Sequence, residues 1–300
     1  MPLLQANKRI MENESLHIGR YVNLMNDVAL KIVFGKPENK DLLIALLSAV
    51  IPELKISDLT HIDKEKPGIG LDDKKSVFDL LCQTADGEEV LVEVQVKPQG
   101  WFRDRTLYYS AQELLWQHGK GDIDYTLKPI YVVSLLNFTM QHERPDDGKF
   151  IWRYRLAEAE TGEVMSKALN FIYVEVPKFT KDENELANVA DDFYFCLSRM
   201  GSLKQRPEKL DCPIFNKLFD EAEFANLSRD EQRHYIAKMT TERDIKNQIA
   251  YGRQEGRSEG LAEGVAKGKE ETARNLKAAG VDTAIIAQCT GLTVEEVGQL

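Results

Sequence analysis

Hydrophobic and polar positions alternate most clearly between Ser76 and Lys97, in SVFDLLCQTADGEEVLVEVQVK. Val77 to Gln83 and Glu89 to Lys97 are rich in β-formers, and Asp86-Gly87 between them is a strong turn pair. The stretch therefore predicts two strands joined as a hairpin. In the second strand the period of two gathers Val90, Val92, Val94 and Val96 on one face and Glu89, Leu91, Glu93, Gln95 and Lys97 on the other. A valine stripe buries readily, whereas a carboxylate, an amide and an ammonium in a row need water or a ligand opposite them. Asp79 on the first strand adds a second carboxylate.

Two readings of this face are open: an edge hairpin with a solvated polar side, and a pair of carboxylates holding a hard cation such as Mg²⁺. Register separates them. A two-residue loop, Asp86-Gly87, sets Asp79 against Val94 on the wrong face, while a three-residue loop, Asp86-Gly87-Glu88, or a bulge sets it opposite Gln95 and diagonal to Glu93. The odd loop or the bulge is the expectation.

Upstream, Asn26 or Asp27 is placed to cap a helix over Val28 to Phe34, closed by Gly35 and Pro37, and Lys40 to Val50 forms a second helix before Pro52. Asp27 is thus a cap or a chemical residue, and Lys31 lies one turn along its face, directed toward the hairpin. Ile56 to Ile62 predicts a strand, and Lys64 to Lys75, with Pro67, Gly68 and Gly70, a mobile loop. After the hairpin, Trp101 to His118 reads as a helix ended by Gly119 and Gly121, with Leu107, Ala111, Leu114 and Leu115 as its core stripe. Arg105 and Tyr109 share another face, suited to a phosphate or to an internal carboxylate. Leu127 to Phe138 predicts a buried central strand, followed by a turn around Pro145 to Gly148. Phe150 to Ala157 and Phe171 to Pro177 predict further strands, Asp182 a helix cap, and Pro213 to Ala225 and Arg229 to Ala250 more helices. This order indicates an α/β protein with a mixed sheet flanked by helices on both faces.

Composition narrows the class without naming it. With 43% hydrophobic and 29% charged residues the chain is an ordinary globular one, and a formal charge of −10 argues against broad, sequence-blind attraction to nucleic acid. A local basic groove stays open, with Arg103, Arg105, Lys120 and Lys128 nearest the hairpin in sequence. Cys82, Cys196, Cys212 and Cys289 show no C-x-x-C pair, so reduced thiols and a cytoplasmic location are expected. Met1 to Ile10 lacks the apolar core of a signal peptide, and the apolar run Leu42 to Ile51 is too short for a bilayer, so no membrane partner is expected. The five histidines have no metal-ligand spacing, and neither G-x-S-x-G nor a P-loop is present.

The ordered series Asp27-x-x-x-Lys31 with Phe34-Gly35, the Asp79 strand, Glu93-x-Gln95, Arg105-x-x-x-Tyr109 and the Pro129 strand resembles the PD-(D/E)XK nuclease superfamily. More narrowly, it is similar to the recombination-promoting nuclease/transposase family, in which a glutamine commonly replaces the core lysine. The resemblance covers Tyr21 to Asn137 in detail. It implies a metal-dependent endonuclease acting on DNA, with Asp79 and Glu93 binding a divalent cation such as Mg²⁺ and Asp27 completing the metal shell. It further implies that Gln95 orients the attacking water, that Arg105 and Tyr109 contact phosphate or hold the site together, and that Lys97 or Lys31 supplies the cation a glutamine lacks. A catalytically silent nuclease-fold binding protein is the alternative that Gln95 keeps open.

The C-terminal pattern is different. Gly252, Gly256, Gly260, Gly264 and Gly268 recur every four residues. In a helix each glycine costs ~1 kcal/mol relative to alanine, so the stripe predicts either a self-association helix whose groove admits a second copy or a flexible linker. Beyond it, Asp282, Gly291 and the Thr293/Glu296 capping box outline two short helices, with no Lys or Arg from Val281 to Leu300 to meet a phosphate. A protein-docking or regulatory role fits that tail. The expected divisions are a loose arm over 1–20, a nuclease-like domain over 21–240, the repeat over 241–270 and a helical hairpin over 271–300.

Overall fold

The computed structural model describes residues 18–62, 65–66, 76–117, 125–142 and 148–300. Most of the arm expected over 1–20, most of the 64–75 loop, Gly119, Lys120 and Gly121, and most of the Pro145 turn lie outside the described residues. Two compact units divide at Ile236/Ala237.

The first unit is built on a mixed sheet whose strands are β1 (Leu59–His61), β4 (Leu80–Thr84), β5 (Glu89–Gln95), β6 (Ile130–Leu136), β7 (Ile151–Ala157) and β8 (Val164–Glu175). Their spatial order is β1-β4-β5-β6-β8-β7, with β5, β6 and β8 parallel and the remaining pairings antiparallel. A separate pair, β2 (Glu65–Lys66) and β3 (Ser76–Val77), precedes β4. The predicted first hairpin strand is therefore interrupted: β3 pairs with β2, and β4 begins only at Leu80. Every residue of β5 is buried, because β5 is central and flanked by β4 and β6. The edge-hairpin reading fails on this point, since the edges are β1 and β7.

Helices cover both faces. They are α1 (Asp27–Phe34), α2 (Lys40–Val50), α3 (Phe102–Trp116), α4 (Val189–Arg199) and α5 (Pro213–Ala222). Asn26 caps α1, its side chain accepting from the Val28 and Ala29 amides at 3.0 and 3.2 Å. Asp182 does not cap α4. It closes a local turn with Asn184, and Asn188 takes the capping role by accepting from the Asp191 amide. Against the sheet face bearing Leu91, Val132, Phe171 and Tyr173, α3 docks through Phe102.

The core stripe predicted for α3 is met only in part: Leu114 packs against the core. Leu107 and Leu115 are exposed, and the buried positions are Phe102, Thr106, Ser110, Gln112 and Glu113. The face it meets carries polar groups of its own, and Thr106 meets one of them: its Oγ1 lies 2.7 Å from the Tyr173 hydroxyl.

The long helix α6 (Arg229–Ala278) contains the whole glycine repeat, well past the end predicted near Ala250. In the second unit, α7 (Thr283–Thr290) and α8 (Val294–Gln299) close a small core of Ala273, Ile286 and Val297. Asp282 caps α7, Gly291 ends it at φ 69°, and Thr293 with Glu296 forms the capping box of α8.

Candidate active site

The hairpin loop sets the geometry. Gln83 faces Glu89 and Leu80 faces Val92, while the Thr84 amide donates to the Glu88 carbonyl, so the loop is the three residues Ala85-Asp86-Gly87. Gly87 adopts φ 89° to close it. The odd loop is as expected, but it begins one residue earlier, and the paired register ends at Leu80 and Val92, so Asp79 is not set opposite Gln95. The Asp79 amide also donates to the Val92 carbonyl at 3.0 Å, so Asp79 and Leu80 both meet Val92 as in a β-bulge. Asp79 Oδ2 then accepts from the Val94 amide at 2.7 Å, which ties the carboxylate to β5.

Two buried carboxylates so close require compensation. Asp79 is 8% exposed and Glu93 7%. Lys31, from α1, places Nζ 3.1 Å from Asp79 Oδ1. Arg105, from α3, pairs with Glu93 Oε1 through Nη2 and reaches Gln99 Oε1 through Nη1. Gln95 donates to the same Glu93 oxygen. Glu93 Oε2 is buried and accepts no hydrogen bond. Burial pushes the Glu93 carboxyl up to about 7; Arg105 opposes the rise, Asp79 adds to it and Gln95 lowers it. An oxygen without a partner, on a carboxyl whose charge burial disfavours, is a fitting ligand atom for a divalent cation.

The other expected residues fall variously. Lys97 lies just beyond β5 with its Nζ buried and without a hydrogen-bond partner. Tyr109 packs edge-on against Phe78, the neighbour of Asp79, with ring centroids 5.8 Å apart. Asp27 occupies the first turn of α1, its Oδ1 accepting from the Val28 amide. Among the described residues no three His, Cys, Asp or Glu side chains gather as a metal cluster, so Asp27 is not brought into one group with Asp79 and Glu93. Lys128 is not brought to the site either; its Nζ donates to the Asp86 carbonyl at the opposite end of β5. Arg103 donates to the Gln141 carbonyl and lies over the Tyr154 ring.

Comparison with protein-family models gives the family. A model described as PD-(D/E)XK nuclease family transposase matches residues 24–252. The chain belongs to that family. Neither the curated proteins nor the solved structures contain a significant match. For a PD-(D/E)XK family member the mixed sheet flanked by helices is the expected fold, and membership implies a nuclease or transposase-like role on DNA. No helix among the described residues is long and apolar enough to cross a membrane.

Sequence reasoning missed Ser134 and Glu175. Ser134 stands beside Glu93 in the β5/β6 ladder, fully buried, with its Oγ unpartnered. The signal was available as a lone hydroxyl in the apolar run IYVVSLL. Glu175 ends β8 fully buried, accepting from the Met140 amide, His142 Nε2 and Trp152 Nε1, with Lys178 Nζ 2.5 Å away. Its partners come from three separate stretches, so no local pattern marked it.

Proposed function

We propose that this protein is a divalent-metal-dependent DNA endonuclease, with Asp79 and Glu93 as metal ligands and Gln95 as the residue that orients the attacking water. The observation that carries the reading is the buried Asp79/Glu93 pair at the end of β5, with Glu93 Oε2 left without a protein partner. A bound Mg²⁺ would supply water activation and charge stabilisation at the phosphate.

The chain's own residues do the rest. Lys31 and Arg105 hold the two carboxylates in place and keep positive charge beside them for the scissile phosphate. Gln95 offers a hydrogen bond but neither a base nor a charge. Lys97, two residues on and with its ammonium unpartnered, is the nearest group to provide that charge. Tyr109 braces the Phe78-Asp79 turn, and Asp27, one turn from Lys31, serves the start of α1 rather than the metal shell.

Supercoiled plasmid incubated with Mg²⁺, with and without EDTA, tests the reading beside an Asp79→Ala variant shown to fold by circular dichroism. Metal-dependent nicking that the variant loses supports it. An inert wild type across several divalent metals and both DNA and RNA turns the reading to a silent nuclease-fold binding protein, which the glutamine at position 95 favours.

Two further readings accompany the enzyme. The Gly252 to Gly268 stripe lies in α6, and a Cβ added at any of its five glycines would meet no atom within 4 Å, which supports self-association of two chains along that open face. Four free cysteines support a cytoplasmic setting.

A further inference from the structure

Immediately before α3 the chain does something costly. Trp101 sits at φ 57°, ψ 25°, a left-handed conformation that glycine or asparagine adopts at least cost and that is an outlier for a bulky residue. Its side chain is 83% exposed, so packing does not account for it. The turn separates two neighbouring aromatics. Phe102 goes inward, 6% exposed, against Phe138 and Tyr173, while Trp101 is left in solvent.

The position relative to the site is close. The Trp101 carbonyl accepts the Arg105 amide at 2.8 Å, and Arg105 is the residue that pairs with Glu93. One helical turn, ~6 Å of axial rise, thus separates the backbone of Trp101 from that of Arg105, a span of one to two nucleotide steps. Arg103 and Arg105 place two cations in the first turn of the same helix. An exposed aromatic beside cations is the arrangement that binds unpaired bases: guanidinia attract phosphate and the ring stacks on a base of any sequence. In a duplex each base face is already covered by its neighbours, so the ring has no partner there.

Resting on the nuclease reading above, we propose that Trp101 is a stacking platform for an unpaired DNA base flanking the scissile phosphate. The preferred substrate is then single-stranded, gapped or otherwise distorted DNA.

The test compares a gapped DNA oligonucleotide, its fully paired counterpart and an abasic version lacking one base at each position near the cut in turn. Binding is followed by fluorescence anisotropy with Ca²⁺, and cleavage with Mg²⁺, for wild type, Trp101→Phe and Trp101→Gly. Glycine relieves the backbone, so Trp101→Gly melts at or above the wild-type temperature. Its preference for gapped over paired DNA falls roughly 5- to 100-fold, and Trp101→Phe keeps most of it. One abasic position costs the wild type the same factor and the glycine variant almost nothing. An unchanged preference in folded Trp101→Gly, additive losses from variant and abasic site, or a change only in oligomeric state overturns the stacking role and leaves the nuclease standing. A wild type that neither binds nor cuts DNA overturns both.

Discussion

Lys31 on the first helix holds its Nζ 3.1 Å from Oδ1 of Asp79, across a separation of 48 positions in the chain. This pair, with Arg105 against Glu93, encloses the two carboxylates between α1 and α3. Each buried negative charge therefore has its own protein cation, and a metal at Glu93 Oε2 would add to that set without displacing Arg105 from Oε1.

Replacing Lys31 with methionine leaves Asp79 buried with one amide partner. The expected loss is about 1–3 kcal/mol, the usual cost of stranding a buried charged acceptor. Thermal melting with and without Ca²⁺ checks it: the cation should recover more stability in Lys31→Met than it adds to the wild type. Equal shifts in both proteins would argue against a metal at this pair.

Lys97→Met separates stability from chemistry. Its ammonium is buried without a hydrogen bond, so an isosteric apolar side chain should leave the melting temperature unchanged or raise it. Plasmid cleavage should nevertheless fall roughly 10²-fold, the scale of losing one stabilising group at a transition state. Full activity in this variant would remove Lys97 from the mechanism.

Glu175 should set part of the acid stability. Burial alone would raise its carboxyl above the ordinary 4.5, but Lys178, the Met140 amide and His142 outweigh burial and hold it lower. A depressed folded-state value gives stability that is complete above the unfolded value and disappears as pH falls through the folded one. Denaturant midpoints should hold above about pH 5 and drop below it, whereas Glu175→Gln, destabilised by about 3 kcal/mol at neutral pH, should show a shallower acid slope.

Alanine at Gly260 and Gly264 tests the repeat. Each substitution favours an isolated helix by ~1 kcal/mol, and the added methyl groups meet nothing within one chain. Helicity should rise by circular dichroism while sedimentation shows any dimer dissociating. A dimer that survives both alanines places self-association elsewhere.

Much of the local structure was legible in the sequence because it is decided within a few residues. Asn26, Asp282 and the Thr293/Glu296 box cap their helices through bonds spanning at most three positions. The valine alternation of β5 and the three-residue loop follow equally from short-range geometry. The carboxylate pair was legible too, since a hairpin joins its two strands.

What the sequence by itself determined is thus most of the elements, the caps at Asn26, Asp282 and Thr293, and the placing of Asp79, Glu93 and Gln95 on one hairpin. Tertiary structure decided the rest: that Asp79 bonds to Val92 and Val94 of β5 through an earlier loop start and a bulge, that β5 is central so its polar face is buried, and that α3 turns Thr106, Gln112 and Glu113 inward and leaves Leu107 and Leu115 in water. The physical reason is that a side chain's environment depends on what lies opposite it. For α3 that is a sheet face carrying Glu93, Ser134 and Tyr173, assembled from strands up to 80 positions apart, where Arg105 meets Glu93 and Thr106 meets Tyr173.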